Sequence, residues 1–562
     1  MNLLLAYLGR STIGSGPAGV HVTLAPNLRR DRVSYVGTLR QPLRFREAMS
    51  ALHDVVISDL RYKPKDKSAY QAYQAQMRER ESALRRGAAQ QARSQVLARK
   101  EIVIPDGLEV DFRRKRKSYW DARQKYANYL LAHDPELWRL LMPCDPVITV
   151  APDVLFFECF SADESSYGCL TVQRGAFHAE ESVSLGTTNV DYSSALYEEF
   201  QKLRTYRRTH FAIDPAGFEV KTEQQAGFRE EKIELPSSWL RGFLQLQAAM
   251  SLPMRRVPVS REGLYNVLAW LKRHRAARSP RAVRFELEPG KPGVLVLEPW
   301  EKRIVLHATP YPGSRAETIR VWGRDRLRVL ARLLPLAEGA DVYLLGSGLP
   351  SFWSVHMGDM RLLLGLSGWT ANDWTGGSAA LDQIAPPTEP SLDLIGDIAA
   401  TFKDRPALTF NQIQQRTGGA APYVAVGLNR LAMMGQVIHD LPAGVYRWRQ
   451  ILPVWMSLTE IGGESPETEA GRQLVADAKV NLVRDERTPS GLRVLGGTVP
   501  ERPAEAVLDA DGRILRGKCS CSHHHQYKLR RGPCRHLQAL RRAAMGERPV
   551  STLDRWFQQL WN

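Results

Sequence analysis

The chain has 562 residues, more than one hydrophobic core ordinarily organises, so several domains are expected. Its 43% hydrophobic and 24% charged content excludes wholesale disorder, and 77 Lys+Arg against 60 Asp+Glu give a net charge of +17 that attracts polyanions such as nucleic acid. No apolar run reaches membrane-spanning length, no basic segment precedes a signal-like core, and cysteines are few, so a cytoplasmic, reducing location without membrane insertion is expected.

Residues 1–66 read as a small α/β unit. Alternation at Val20, Val22 and Leu24 and at Val33 and Tyr35 predicts strands, Phe45 to Leu52 has helical spacing, and Val55 to Leu60 returns to strand. Gly9 to Gly16 superficially resembles a phosphate loop, but no Lys-Ser/Thr follows, so a flexible loop is expected. Residues 67–142 read as a helical arm, rich in Gln, Ala, Arg and Glu from Tyr70 to Glu101. Within it, Asp111 to Trp120 contains five consecutive cations beside aromatics, a run that either faces water or grips phosphates.

Residues 143–375 read as one or more α+β domains. Val154 to Phe160 and Gly168 to Val172 are strand-like, Thr209 opens another strand, and Ser260 caps a helix whose Leu264, Val267, Leu268 and Leu271 share one face. Strand-like runs follow at 282–287, 294–297 and 303–308, then a helix over 324–336 and strands at Val342 to Leu345 and Met360 to Leu366. The mixture recurs, which makes a duplication conceivable, but no residue-level repeat is visible. Trp353, Trp369 and Trp374 read either as core aromatics or as a stacking platform. Gly-Gly and Pro-Pro pairs mark 376–390 as a linker.

Over 391–451, helical spacing at Leu392 to Phe402 precedes Thr409, a good N-cap for Phe410 to Thr417. Gly418-Gly419 makes a turn, Pro422 opens a third helix through Met434, and Val437 to Arg449 forms a hairpin. This order resembles a winged helix-turn-helix. The resemblance implies a third helix placed in the major groove, where Tyr423, Asn429 and Arg430 are the polar candidates, with Arg447 and Arg449 of the wing reaching phosphates. Winged helices also dock proteins, and both uses stay open. Residues 452–503 read as a connector.

The cysteines of most interest lie in Cys519-Ser-Cys521, twelve residues, then Cys534-Arg-His536. Two soft ligands two apart, followed by a second such pair, can close a tetrahedron around zinc. Asp509 to Gly512 reads as a hairpin turn before this pattern, and Pro533 as the opening of a helix. Pattern and setting resemble a SWIM zinc finger over 504–548, followed by a tail at 549–562. The resemblance implies that Cys519, Cys521, Cys534 and His536 hold one structural Zn2+. It further implies a module that binds DNA and proteins without catalysis by the metal. Three thiolates and a neutral imidazole around Zn2+ leave a formal charge of about −1, which neighbouring cations favour. Ten Lys/Arg and one acidic residue lie between Arg513 and Arg548, and Lys528, Arg530, Arg531, Arg535, Arg541 and Arg542 are the candidate phosphate-facing or partner-facing residues. The run His523 to His525 is an alternative metal donor.

The whole is expected to be an α+β multidomain chain: a mixed sheet-and-helix N-terminal region, a winged-helix-like module and a small C-terminal zinc finger. This layout resembles bacterial SWIM zinc finger family proteins. That resemblance implies a MoxR-type AAA+ ATPase and von Willebrand A-domain proteins as neighbours, hence an adaptor role as the alternative to nucleic-acid binding. No Walker lysine, nucleophile elbow or HExxH motif is present, so a non-enzymatic protein is expected, with an N-terminal active site as the remaining alternative.

Overall fold

The structure, a computed structural model, describes residues 3–58, 146–368, 390–451 and 466–544 apart from short interruptions, with a few positions between 110 and 118. The helical arm (bar those positions), the linker 376–390 but for its last residue, Trp369, Trp374, Arg530, Arg531 and the tail 549–562 lie outside the described residues. The chain divides into two units, Met1–Ser58 with Pro143–Asn562, and Asp59–Met142. In the second, Asp111 and Arg114 form an exposed ion pair at 2.7 Å.

The first unit is mixed α/β. Its largest sheet contains β1 Val147–Val150, β2 Val154–Phe160, β3 Ser166–Gln173, β4 Gly186–Asn189, β5 Arg255–Ser260, β6 Gly339–Leu344, β7 Ser351–Met357 and β8 Met360–Leu366, in the spatial order β4-β1-β2-β3-β8-β7-β6-β5. The near-continuous apolar runs of β2 and β8 follow from burial on both faces. Leu155 and Phe157 join one core while Phe156 and Phe160 join another on the opposite side.

Antiparallel pairing of β3 with β8, Ser166 opposite Leu366 and Val172 opposite Met360, fuses the meanders β1-β2-β3 and β6-β7-β8. A helix precedes each meander, α1 (Pro42–Val56) the first and the 3-10 helix Arg324–Leu333 the second. The two helices meet through Arg332, which reaches Glu47 at 3.5 Å and Asp54 at 3.4 Å. A helix-plus-meander arrangement therefore occurs twice.

Thr209–Ile213 lies parallel to Gly19–Leu24 and antiparallel to Ser34–Leu39. This draws the first 58 residues into the large domain: Val22, Phe45, Phe157, Phe211 and Trp353 belong to one core. The described residues up to Ser58 thus share the large domain's core, and Trp353 is a core aromatic. Thr12–Gly16, expected as loop, is a strand paired with Gly19–Leu24. Val55 and Val56 stay helical because the buried stripe of α1, Phe45, Met49, Leu52 and Val56, continues through them.

Helix α2 (Ser237–Met250) leads through β5 into α3 (Arg261–Arg273). As the sequence indicates, Ser260 Oγ accepts from the Gly263 amide at 3.1 Å, and Leu264, Val267, Leu268 and Leu271 are buried. A four-stranded sheet follows, ordered Lys302–Val305, Val294–Leu297, Val283–Leu287, Glu317–Val321.

Residues 391–451 form α4 (Leu392–Thr401), α5 (Phe410–Thr417), α6 (Ala421–Met433), and a sheet of β9 (Ala407–Leu408), β10 (Val437–Asp440) and β11 (Val445–Trp448). Thr409 and Gln412 make a capping box, and Gly418 ends α5 with a φ of +64°, which costs a glycine little. This module is docked on the large domain by the residues expected to face outward. Asn429 Nδ2 donates to Ala248 O at 2.9 Å and Ser251 Oγ at 2.8 Å. Arg447 pairs with Asp153 at 2.6 Å and Asp440 at 3.0 Å. Arg449 pairs with Glu158 and donates to Gln247 Oε1 at 2.9 Å. Asn429, Arg447 and Arg449 are all buried, so the expectation that they read bases or phosphates is corrected. Of that set only Tyr423 is exposed, with Arg430 half-buried. Among the described residues, no helix is long and apolar enough to cross a membrane.

The Arg449 and Glu158 side chains are 1% and 0% exposed, so removing one partner strands a charge in the interior. Arg449→Met is expected to destabilise the first unit by roughly 3–5 kcal/mol, read as a lowered urea midpoint.

Candidate metal centre

The C-terminal module begins earlier than the sequence suggests. Helix α7 (Pro466–Ala476) and strands β12 (Asn481–Arg487) and β13 (Arg493–Val499), expected as connector, fold with β14 (Arg502–Leu508) and β15 (Ile514–Cys519) into an antiparallel sheet ordered β12-β13-β14-β15. Leu495, Val499, Ala504, Ala506, Leu508 and Ile514 form its inner face. Leu537 and Leu540 of α9 (Arg535–Ala544) pack against them, in a core distinct from those of the large domain.

Helix α7 can cross α9 closely because Gly471 stands at the contact, where a Cβ would lie 2.8 Å from Gln538 Cβ and 3.1 Å from Arg535 O. Glu467 of α7 caps α9, accepting from the Arg535 backbone N–H and from its guanidinium, each at 2.7 Å.

The four expected ligands converge. Cys519 ends β15 half-buried, and Cys521 is the N-cap of α8 (Ser522–Tyr527), its Sγ accepting from the His524 amide at 3.3 Å. Cys534 is fully buried immediately before α9, and His536 lies in the first turn of that helix. All four ligand atoms lie within 4.8 Å of one another. A tetrahedral zinc with Zn–S near 2.3 Å needs neighbouring sulfurs about 3.8 Å apart, so a small contraction completes the coordination sphere.

The donors also fit a metal chemically. His536 Nδ1 is buried with no hydrogen-bond partner. Burial pushes the thiols of Cys519 and Cys534 up, and burial, with Arg502 and Arg535 nearby, holds the His536 imidazole low and neutral. A divalent cation reverses the thiol preference and binds neutral imidazole directly. Three sulfurs and a nitrogen suit zinc, and four protein ligands would leave a bound metal no position for a reacting water. His523, His524 and His525 are not among the converging ligands. His524 is buried and donates its backbone N–H to the capping Cys521 Sγ, while His523 packs edge-on against Tyr527 at 5.3 Å.

Residues 466–544 carry 15 Lys/Arg against 9 Asp/Glu. Of the cations singled out from the sequence, Lys528 is exposed, Arg542 half-buried, Arg535 held by Glu467 and Arg541 buried within the core. Arg541 is therefore corrected from a phosphate-facing to an interior residue, because it follows Leu540 on the inward side of α9. Arg487 and Arg516, not singled out from the sequence, are exposed and, like Lys528, have no ion pair among the described residues. Arg516 stands opposite Val507, and a register shift between Val507 and Leu508 sets it on the face opposite Ile514, which plain alternation from Ile514 does not give.

No protein-family model matches the sequence, and no curated protein matches it significantly. Among solved structures, this chain is similar to proliferating cell nuclear antigen from Entamoeba histolytica, with 12% identity, a TM-score of 0.28, and coverage of 40% of this chain and 89% of that one. The antigen from Thermococcus kodakaraensis is similar at 10% identity and a TM-score of 0.27, covering 40% of this chain and 90% of that one. That of A. fulgidus, bound to the C-terminal region of FEN-1, gives 12% and 0.26, covering 41% and 91%. Superpositions this loose carry no functional argument.

Two outcomes test the centre. Since the Cys519 and Cys534 thiols are protonated at neutral pH without metal, each zinc bound at pH 7 is expected to release at least two protons, and affinity is expected to rise with pH. Calorimetry in buffers of different ionisation enthalpy counts those protons, and His536→Ala is expected to lower zinc content below one per chain. Gly471→Ala would by helix propensity alone gain about 1 kcal/mol. The close α7–α9 approach predicts instead a net loss of about 1–2 kcal/mol in the stability of this module, measured by denaturant titration with zinc present.

Proposed function

We propose that the chain is a non-catalytic zinc-binding protein whose C-terminal module, of the SWIM type, presents cations to nucleic acid. The observation that carries this reading is the closed cluster of Cys519, Cys521, Cys534 and His536, which leaves a bound metal no role but to fix the polypeptide around it. What that fixed polypeptide offers is charge: Arg487, Arg516 and Lys528 are exposed without ion pairs among the described residues, and Arg530 and Arg531 adjoin Lys528 in sequence. One structural Zn2+ per chain and a cytoplasmic location belong to this reading.

The module over 391–451 is read as a winged helix used for docking protein surfaces, since Asn429, Arg447 and Arg449 contact the chain's own large domain. That use supports a second reading, an adaptor for a MoxR-type AAA+ ATPase and its von Willebrand A-domain partner, with Tyr423 and Arg430 left for outside contacts.

Fluorescence anisotropy with a labelled 20-base-pair duplex separates the two. Nucleic-acid binding predicts a steep loss of affinity between 50 and 200 mM salt, and at least about tenfold weaker binding by the Arg487→Glu, Arg516→Glu, Lys528→Glu triple variant. Absence of duplex binding at 50 mM salt by the zinc-loaded chain would overturn the first reading in favour of the adaptor.

A further inference from the structure

A cleft of about 450 Å3 lies between α3 and the edge strand Lys302–Val305, on the large domain and made of none of the zinc module's residues. Its floor is aromatic. The rings of Trp270 and His274, one helical turn apart, stack at 3.8 Å, and Trp300 meets both edge-on at 6.3 and 6.0 Å. Lys302 Nζ sits 5.2 Å from the centre of the Trp270 ring, and Arg324 lies 4.6 Å from that of Trp300.

The rim is cationic. Arg273, Lys302, Arg303, His274 and His307 line the cleft and, among the described residues, no acidic one does. Glu286 neutralises Arg303 at 2.6 Å, but Arg273 and Lys302 have no ion pair among the described residues. At the mouth Tyr265 is 53% exposed, on a helix whose Leu264, Val267, Leu268 and Leu271 are buried. Among the described residues the Trp270 Nε1–H is buried without an acceptor, and Asn266 lines the wall.

An exposed Tyr265 ring at the mouth, a cationic rim and a buried indole N–H together suit a ligand with a π-face, a polar edge and negative charge. We infer that this cleft binds a nucleotide unit, base on the exposed Tyr265 ring, with Trp270 already covered by His274 and Lys302, and phosphate toward Arg273 and Lys302. The unit is either a free nucleotide or part of a single strand. A cationic ligand is excluded by the rim, and a purely apolar one would leave Arg273 and Lys302 without a counter-charge. The volume is within the range of small-molecule sites, about 300–1,000 Å3.

The test uses the full zinc-loaded chain carrying Arg487→Glu, Arg516→Glu and Lys528→Glu, so that binding at the zinc module does not mask the cleft. Anisotropy is measured with a fluorescein-labelled 12-nucleotide single strand at 50 to 200 mM NaCl, with ATP as competitor. Adding Arg273→Glu and Lys302→Glu is expected to weaken binding more than about tenfold and to lower the salt slope by about 1.4. Tyr265→Ala is expected to weaken it by about tenfold with the slope unchanged, since stacking releases no counter-ions. Full displacement of the strand by millimolar ATP would identify a free nucleotide as the ligand, and retention of the strand would identify the strand, each with the cleft confirmed. All three residues are exposed or at the rim, and an unchanged near-ultraviolet circular dichroism spectrum verifies the fold. If the cleft variants bind strand and ATP as their parent does, or the parent binds neither, the inference is overturned.

Discussion

The pairing of Ser166–Gln173 with Met360–Leu366 is the constraint on which the rest of the large domain depends. It brings together segments nearly two hundred residues apart and turns two meanders into one sheet with a core on each face. On one face lie α1 and the 3-10 helix, tied by Arg332. On the other, α2 and the strands below it form the surface to which the 391–451 module is fastened. Closing so long a loop is entropically costly, and the dry apolar faces of β2, β3, β7 and β8 offset that cost.

The C-terminal module follows a different logic. Its core is small, and the four ligands come from the end of one strand, the cap of a short helix and the start of another. A metal held at their centre would cross-link three backbone segments that few apolar contacts otherwise hold, as small metal domains commonly require. The cations around the centre then divide. Glu467, Glu486 and Glu505 neutralise Arg535, Arg484 and Lys518, and Arg541 is buried, so the charge left for a partner is smaller and differently placed than a count along the sequence implies.

Much of this was legible from local patterns. The Ser260 cap, the Thr409 capping box, the apolar stripe of α3 and the ligand spacing all act over a few residues, and each is found where the sequence places it. What was illegible depended on distant partners. Arg447 and Arg449 look like solvent-facing wing residues until Asp153 and Glu158, almost three hundred positions earlier, claim them. Strand β12 escaped notice because it is an exposed edge, with Arg484, Asp485, Glu486 and Arg487 masking the apolar alternation that marks a buried strand. That the strands of the first 58 residues belong to the large domain's sheet was illegible for a like reason, since the strand that joins them, Thr209–Ile213, comes much later in the chain.

The docked state of the 391–451 module bears on how its behaviour in isolation is to be understood. Excised from the chain, it would expose Asn429, Arg447 and Arg449, with Asp440 alone left to balance the two arginines. The fragment would therefore carry a basic face that the intact protein does not possess. Affinity for polyanions shown by such a fragment would report the surface left by the cut, and the same residues in the whole chain would remain an internal fastening.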